Sequence, residues 1–302
     1  MQRRQFTGTL GSFLVASGFS ANAQNLLGTA DAPKAADARS VSAQLKALEQ
    51  ESGGRLGVAI LNTGNGAHYG YRTAERFPMC STFKLLAAAL VLHRVDKGQE
   101  QLDRQLPIPR AALVPHSPTT GPKAGSSLSM AELCEATITL SDNTAANLML
   151  TSFGGPKGLT GYMRSLGDRM TRLDRTEPAL NEARPGDPRD TTTPAAMMDS
   201  VQKIVLGSAL SDASRQQMRQ WLLASKTSDR RLRALMPPGC LVGDKTGTGA
   251  RGTTNDIGVL WPKGCAPLVV IVYLTQTPKP LEQLEAVVAK VGQLAVSLAT
   301  PA

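Results

Sequence analysis

The apolar positions of this chain change period twice between its ends. Val41, Leu45 and Leu48 recur at helical spacing from Ser40 to about Glu51. Leu56 to Leu61 is then a continuous apolar run of strand length, Asn62 to Gly66 is turn-forming, and His68 to Arg72 predicts a second strand. From Ser81 the pattern turns helical. Leu85 to Leu92 is apolar on nearly every face, which predicts a central, buried helix. Ser129-Met130-Ala131-Glu132 predicts a helix start through its capping box, and Thr193-Pro194 another through an N-cap followed by proline. Residues 212–224 predict one more helix. Strand patterning returns at Leu241 to Thr248, Asp256 to Trp261 and Leu268 to Thr275, and an amphipathic helix from Leu281 to Leu298 follows. Strands near both ends with helices between them predict an α/β domain built from residues 39–74 and 225–302. A mostly helical domain, residues 75–224, is inserted, and a cleft between the two is the expected place for a site.

The first residues serve another purpose. Arg3-Arg4, an apolar stretch from about Gly8 to Phe19, and Ala21-Asn22-Ala23 follow the order of an export signal over residues 1–23. Arg3-Arg4-Gln5-Phe6 is similar to a twin-arginine signal, the alternative being a chance arginine pair in an ordinary Sec signal. The apolar stretch is too short to span a bilayer. Residues 24–38, rich in Ala, Asp and Pro, read as a flexible lead-in, and no later stretch suits a membrane anchor. The expectation is a periplasmic protein exported by the twin-arginine route. A monomer is expected, because no interface signal stands out.

The formal charge is +9, or +7 once Arg3 and Arg4 are removed with the signal. The basic residues are scattered and not interleaved with aromatics, so a solvated basic surface is expected and nucleic-acid binding is not. Cys80, Cys134, Cys240 and Cys265 form no C-x-x-C pair. With only His68, His93 and His116 besides, no metal-ligand spacing arises, and neither a metal nor another cofactor is expected. Cys240 precedes one predicted strand and Cys265 follows the next. If the strands form a hairpin turning near Arg251-Gly252, the two cysteines lie roughly opposite. A bridge needs Cα atoms within about 7 Å, so a disulfide and two free thiols both remain open.

Four short motifs carry the chemistry. Ser81 and Lys84 lie three apart at a predicted helix start, which puts both on one face. Serine needs a neighbour to take its proton, and a desolvated lysine can do so. The Ser81 N–H at the helix N-terminus suits an oxyanion. Ser141-Asp142-Asn143 offers a hydroxyl relay from Ser141 and an amide, Asn143, for a substrate, with Asp142 as a helix N-cap. Lys245-Thr246-Gly247-Thr248 lies on a predicted strand. Lys245 with the hydroxyls of Thr246 and Thr248 suits an anion, the Thr248 N–H can complete an oxyanion hole, and Gly247 permits close approach. Glu177 and Asn181, four apart in a loop, could hold one water. Each motif alone is weak.

Ser81-Thr82-Phe83-Lys84, Ser141-Asp142-Asn143 and Lys245-Thr246-Gly247, in this order, resemble the signature of class A β-lactamases and penicillin-binding proteins. The separations of 60 (Ser81 to Ser141), 36 (Ser141 to Glu177) and 68 (Glu177 to Lys245) resemble those of class A serine β-lactamases over roughly residues 40–298. The resemblance implies an α+β sandwich, an antiparallel sheet flanked by terminal helices, plus an inserted all-α domain. It implies β-lactam antibiotics as substrates, acylation of Ser81, proton relay through Ser141 and deacylation by a water that Glu177 and Asn181 activate. It leaves open whether Lys84 or Glu177 is the acylation base. Arg175 and Asp190 match an ion pair closing the loop around Glu177. Pro178 matches a residue after a cis peptide, His116 a gatekeeper beside the cleft, and Asn147 a tie between the helical domain and the loop.

Three departures from the family pattern stand out. Thr254 occupies the position where many members carry a substrate-binding arginine, and Arg231 matches the alternative source of that guanidinium. Cys134 matches half of a disulfide whose other position is Ala88. Cys80 matches a cysteine that some carbapenem-hydrolysing members bridge to the position of Gly249. Cys80 and Cys134 are therefore expected to stay reduced and buried. A transpeptidase or DD-carboxypeptidase shares three of the motifs, a glutaminase has a related fold, and a penicillin sensor would acylate without turnover. Glu177 with Asn181 favours the hydrolase.

Overall fold

A computed structural model describes residues 37–302. The export segment and residues 24–36 of the lead-in lie outside the described residues. Helix α1 (Ala38–Ser52) is capped by the Asp37 carboxylate, which accepts the Arg39 N–H, and is closed by Gly53 in the left-handed conformation. Strands β1 (Arg55–Asn62), β2 (His68–Tyr71) and β3 (Phe77–Pro78) follow. The helical section holds α2 (Phe83–Asp96), the short strands β4 (Gln105–Pro107) and β5 (Ser127–Ser129), α3 (Met130–Thr139), α4 (Asn143–Ser152) and α5 (Gly155–Ser165). The two-residue strand β6 (Thr191–Thr192) precedes α6 (Pro194–Val201) and α7 (Asp212–Leu223). The chain then returns through β7 (Leu241–Gly249), β8 (Thr253–Trp261), β9 (Leu268–Thr275) and α8 (Leu281–Ser297).

The main sheet runs β2-β1-β9-β8-β7, antiparallel at every pairing. All eight residues of β9 are buried. Such an unbroken apolar strand needs cover on both faces, and the side chains sort by alternation. Val269, Ile271 and Tyr273 join Ala59, Ile257 and the helical section in one core. Leu268, Val270, Val272 and Leu274 join Val58, Ile60, α1 and α8 in the other. Helix α2 is buried from Phe83 through Leu92, as its all-round apolar sequence requires. The capping box at Ser129 and Glu132 forms, and Thr193 caps α6. This is the mixed fold that the patterning and the resemblance led us to expect.

Two boundaries differ from the sequence reading. Residues Cys80–Thr82 form a separate 3₁₀ turn, and α2 starts at Phe83. Cys80 has φ +46°, and the Met79 N–H is drawn away to Asp190 O (2.9 Å), a contact from far along the chain. Strand β8 starts at Thr253, because a tight turn at Ala250–Gly252 pairs Thr253 with Gly249. All four cysteines are free thiols, Cys80 and Cys134 fully buried. Leu241 pairs with Trp261, so Cys240 sits beside Pro262, while Cys265 lies past a further turn against Pro301. No helix among the described residues is long and apolar enough to cross a membrane.

Candidate active site

The turn Cys80–Thr82 delivers Ser81 between β7 and a long loop spanning residues 172–190. Asn255, near the start of β8, fixes the approach. Its amide donates to Pro78 O (2.9 Å) and Met79 O (3.1 Å) and accepts from the Leu274 N–H. The Ser81 hydroxyl donates to Glu177 Oε1 at 3.1 Å. Lys84, one turn on, reaches the same oxygen at 3.1 Å, with both side chains fully buried. Its ammonium also donates to Ser141 O (2.7 Å), Ser141 Oγ (3.2 Å) and Asn143 Oδ1 (2.6 Å). Burial pushes the Lys84 ammonium down from the ordinary lysine range, and the Glu177 charge opposes that shift.

The Ser141 motif is held by strain and by a cap. Ser141 has φ +59°, a left-handed conformation that costs a non-glycine residue about 1–3 kcal/mol. Asp142 is the N-cap of α4. Its buried carboxylate accepts from the N–H groups of Ala145, Thr119 and Thr120 and from the Thr120 hydroxyl. The capping role read from the sequence is thus real, and it fixes Ser141 and Asn143 on either side. Asn143 donates to Pro115 O (2.8 Å). His116, also at positive φ, contacts Leu140 O through Nε2 and stands exposed at the rim.

The loop is closed at its neck by Arg175 and the buried Asp190, 2.6 Å apart. Asp190 also accepts the N–H groups of Asp174 and Arg175. Inside the loop the Glu177-Pro178 peptide is cis. Asn147 of α4 clasps Glu177 from both sides, accepting its N–H (3.0 Å) and donating to its carbonyl (2.9 Å). The Glu177 side chain is therefore aimed inward rather than solvated. Asn181 Nδ2 donates to Glu177 Oε2 at 2.5 Å, and Asn181 Oδ1 is a buried acceptor with no partner in the protein.

Strand β7 forms the opposite wall. Lys245 is wholly buried and donates to Thr246 O. Burial, with the Lys84 charge adding to it, pushes its pKa down to about 7. A Cβ on Gly247 would stand 2.8 Å from Met79 O and 3.3 Å from Ser81 N, so the glycine is needed for contact with the serine-bearing turn. Gly249 likewise lies against Cys80 Sγ and Asn181 O. Arg231 donates to Gly247 O, Asn255 O and Thr248 Oγ1 and is backed by Glu285. Thr254 is buried and lines no part of the pocket. Behind the wall, Asp244 and Asp256 are both buried, each with one unpartnered oxygen. Burial raises both carboxyls, and their mutual repulsion raises Asp256 further.

These elements enclose a pocket of about 280 Å³ lined by Ser81, His116, Ser141, Asn143, Asn181, Thr227, Arg231, Thr246 and Thr248. Lys84, Glu177 and Lys245 lie just beneath it. The sequence reading missed Thr227, whose hydroxyl bonds that of Thr246 (2.7 Å), and Asn255. Nothing in the pattern marks Thr227. Asn255 is no better marked, because it lies in the polar run Thr253–Asp256 at the start of β8 and its buried partners are far away in the chain. Among the described residues no group of three His, Cys, Asp or Glu side chains could hold a metal.

Comparison with known proteins places this arrangement. The model of the β-lactamase enzyme family matches residues 40–298. β-Lactamase Toho-1 of Escherichia coli is 45% identical over 259 residues, covering 86% of this chain and 89% of the relative. β-Lactamase OXY-2 of Klebsiella oxytoca is 47% identical over 251 residues, 83% of this chain and 87% of the relative. The solved structure of an ancestral (GNCA) class A β-lactamase is 59% identical with a TM-score of 0.84, covering 85% of this chain and 99% of its own. The chain belongs to the β-lactamase enzyme family, as a class A serine member.

Replacing Asn255 by Ala strands two carbonyls and one N–H in the interior. Each unsatisfied buried group costs about 1–3 kcal/mol. Urea denaturation of Asn255→Ala should show a loss of about 2–4 kcal/mol, and an unchanged midpoint would show that Asn255 does not hold the Pro78–Met79 segment.

Proposed function

We propose that the protein is a β-lactamase that opens the β-lactam amide through an acyl-enzyme on Ser81. The observation that carries this reading is the Ser81 hydroxyl already donating to Glu177, a carboxylate that also bonds Asn181. A transpeptidase has no use for a second base at that place. The family relatives are β-lactamases by name, which supports the same substrate class.

The steps follow from the contacts. Ser81 Oγ attacks the lactam carbonyl as its proton passes to Glu177 Oε1. The N–H groups of Ser81 and Thr248 receive the oxyanion. Lys84 touches both Glu177 Oε1 and Ser141 Oγ, so a proton can move from Glu177 through Lys84 to Ser141 and on to the departing ring nitrogen. Either Lys84, lowered by burial, or Glu177 can therefore act as base, and the geometry favours Glu177 as first acceptor. In deacylation a water between Glu177 and the buried Asn181 Oδ1 loses its proton to Glu177 and attacks the ester.

The substrate carboxylate is read by Lys245, the hydroxyls of Thr246 and Thr248, and Arg231, with Asn143 serving the side-chain amide and His116 bounding the entrance. Gly249 leaves Cys80 no partner, so carbapenem hydrolysis is not part of the reading. The proposal includes the domain division at residues 75 and 224, with the pocket where sheet and helices meet. It also includes β-lactam antibiotics as the only partners, monomeric action, and export to the periplasm by the twin-arginine route directed by residues 1–23.

Nitrocefin hydrolysis tests the reading directly. Ser81→Ala should abolish both turnover and the penicillin adduct seen by mass spectrometry, and an adduct on that variant would remove Ser81 from the mechanism. Glu177→Ala should slow deacylation, by about 10²–10⁴, more than acylation, where Lys84 remains as a base, so acyl-enzyme accumulates. Turnover near wild type with no trapped adduct would return the choice to the other motif-sharing enzymes.

Lys245 supplies a pH signature. Its pKa of about 7 leaves it charged on the acid side and progressively neutral as pH rises past that value. KM for a carboxylate-bearing penicillin should be flat near pH 6 and climb on the alkaline side, approaching tenfold per pH unit. A flat KM from about pH 6 to pH 9 would mean that Lys245 keeps its proton throughout.

A further inference from the structure

A second concave site lies at the neck of the Glu177 loop. This depression of about 370 Å³ is lined by Arg76, Lys157, Arg164, Arg169 and Arg172 and by a single carboxylate, Asp174. Arg172 pairs with Asp174 at 2.6 Å. Among the described residues the other four cations have no carboxylate within 4.0 Å. Two of them are nonetheless fixed in place by uncharged oxygens. Arg76 donates to Met170 O (2.8 Å) and Thr191 Oγ1 (3.0 Å), and Arg164 donates to Asp168 O (2.5 Å) and Thr171 O (2.7 Å). The Asp168 carboxylate does not neutralise them. It is buried and turned inward to the N–H groups of Met170 and Thr171 and the hydroxyls of Thr171 and Ser200.

The arrangement contrasts with the rest of the loop. Arg175, Arg184 and Arg189 all sit in a network with Glu182, Asp187 and Asp190. Around the depression the fold holds the Arg76 and Arg164 guanidinium groups still without a carboxylate partner, beside the exposed Lys157 and Arg169. Like charges so placed repel one another, and an anion in their midst turns that repulsion into attraction. Planar guanidinium forks match phosphate oxygens, and two or more phosphates answer four free cations better than one carboxylate can.

We propose that this basin binds a compact, multivalent phosphate anion. A concave site with fixed forks suits a small oligophosphate rather than the flat surface of a bilayer. The position adds a consequence. Arg76 holds Thr191, whose carbonyl accepts the Arg172 N–H, and Thr191 follows the Asp190 clasp. An occupant would bond both the outgoing strand of the loop at Arg172 and the returning strand at Thr191 through Arg76, stiffening the loop that carries Glu177. The proposal does not depend on the reaction assigned above, and its test uses no β-lactam.

Titration calorimetry with inorganic tripolyphosphate at about 20 mM salt should give saturable one-to-one binding that fades at about 0.5 M salt. The Lys157→Ala/Arg169→Ala double variant removes two exposed side chains outside the catalytic pocket and should melt like wild type without ligand. Its Kd should be weaker by about tenfold or more. No saturable heat at low salt, or an unchanged Kd in the double variant, overturns the proposal. So does binding to anionic phospholipid vesicles without binding to tripolyphosphate.

Discussion

Lys84 is a cation without water around it, and much of what is irregular in this fold answers the cost of keeping it there. A buried ammonium is tolerated only when donors are matched and an opposite charge stands close. Glu177 supplies the charge, and Ser141 O, Ser141 Oγ and Asn143 Oδ1 take the hydrogen bonds. Each of those partners has its own anchorage. Ser141 is held at positive φ, with the Asp142 cap next to it. Glu177 is gripped through its backbone by Asn147, and its loop is closed by Arg175 and Asp190. Removing any one of these would leave a charge buried and short of a partner, so the cluster is specified as a unit.

The other wall meets the same constraint differently. Lys245 has no carboxylate bonded to it, and its charge is carried by longer-range attraction to Asp244 and Asp256 against burial and repulsion from Lys84. The result is a pocket whose two lysines are both pressed toward neutrality, one a turn on from Ser81 and one on β7 next to Thr246. In the reaction proposed above, Ser81 needs a neighbour willing to give up or take a proton, while a substrate carboxylate needs one that holds its charge. Local electrostatics assigns the difference through Glu177, which only Lys84 touches.

Much of this was legible in the sequence because the relevant signals are local. The all-round apolar stretch of α2, the continuous apolar run of β9 and the capping residues of α3 and α6 each act within a few residues. The motif residues Ser81, Lys84, Ser141, Asn143, Glu177, Asn181, Lys245, Thr246 and Thr248 announced themselves by type and order, and the fold brings them together. What could not be read depends on contacts across the fold. The early break at Cys80–Thr82 is imposed by Asp190, more than a hundred residues away. Thr227 enters the pocket only because the chain before β7 is laid against Thr246. Asn255 is a strand residue whose partners lie in a segment far earlier in the chain. How Glu177 is held inward, through Asn147 on its backbone, also needed the structure, although the accompanying motifs already argued against a solvated glutamate.

The order of strands in the sheet has a bearing on when the molecule can exist at all. Strand β1 sits between β2 and β9, and its whole length pairs with β9, roughly 200 residues later in the chain. Helix α8, which covers one face of that pairing, is made later still. The middle of the sheet is thus a closure over nearly the whole chain, and such closures are slow because their entropy is lost before contacts repay it. A growing chain can build its helical section early but cannot seat β1 until its last tenth has emerged. For that reason synthesis must be complete before folding is, and any route that moves this protein already folded has to wait for its final helix.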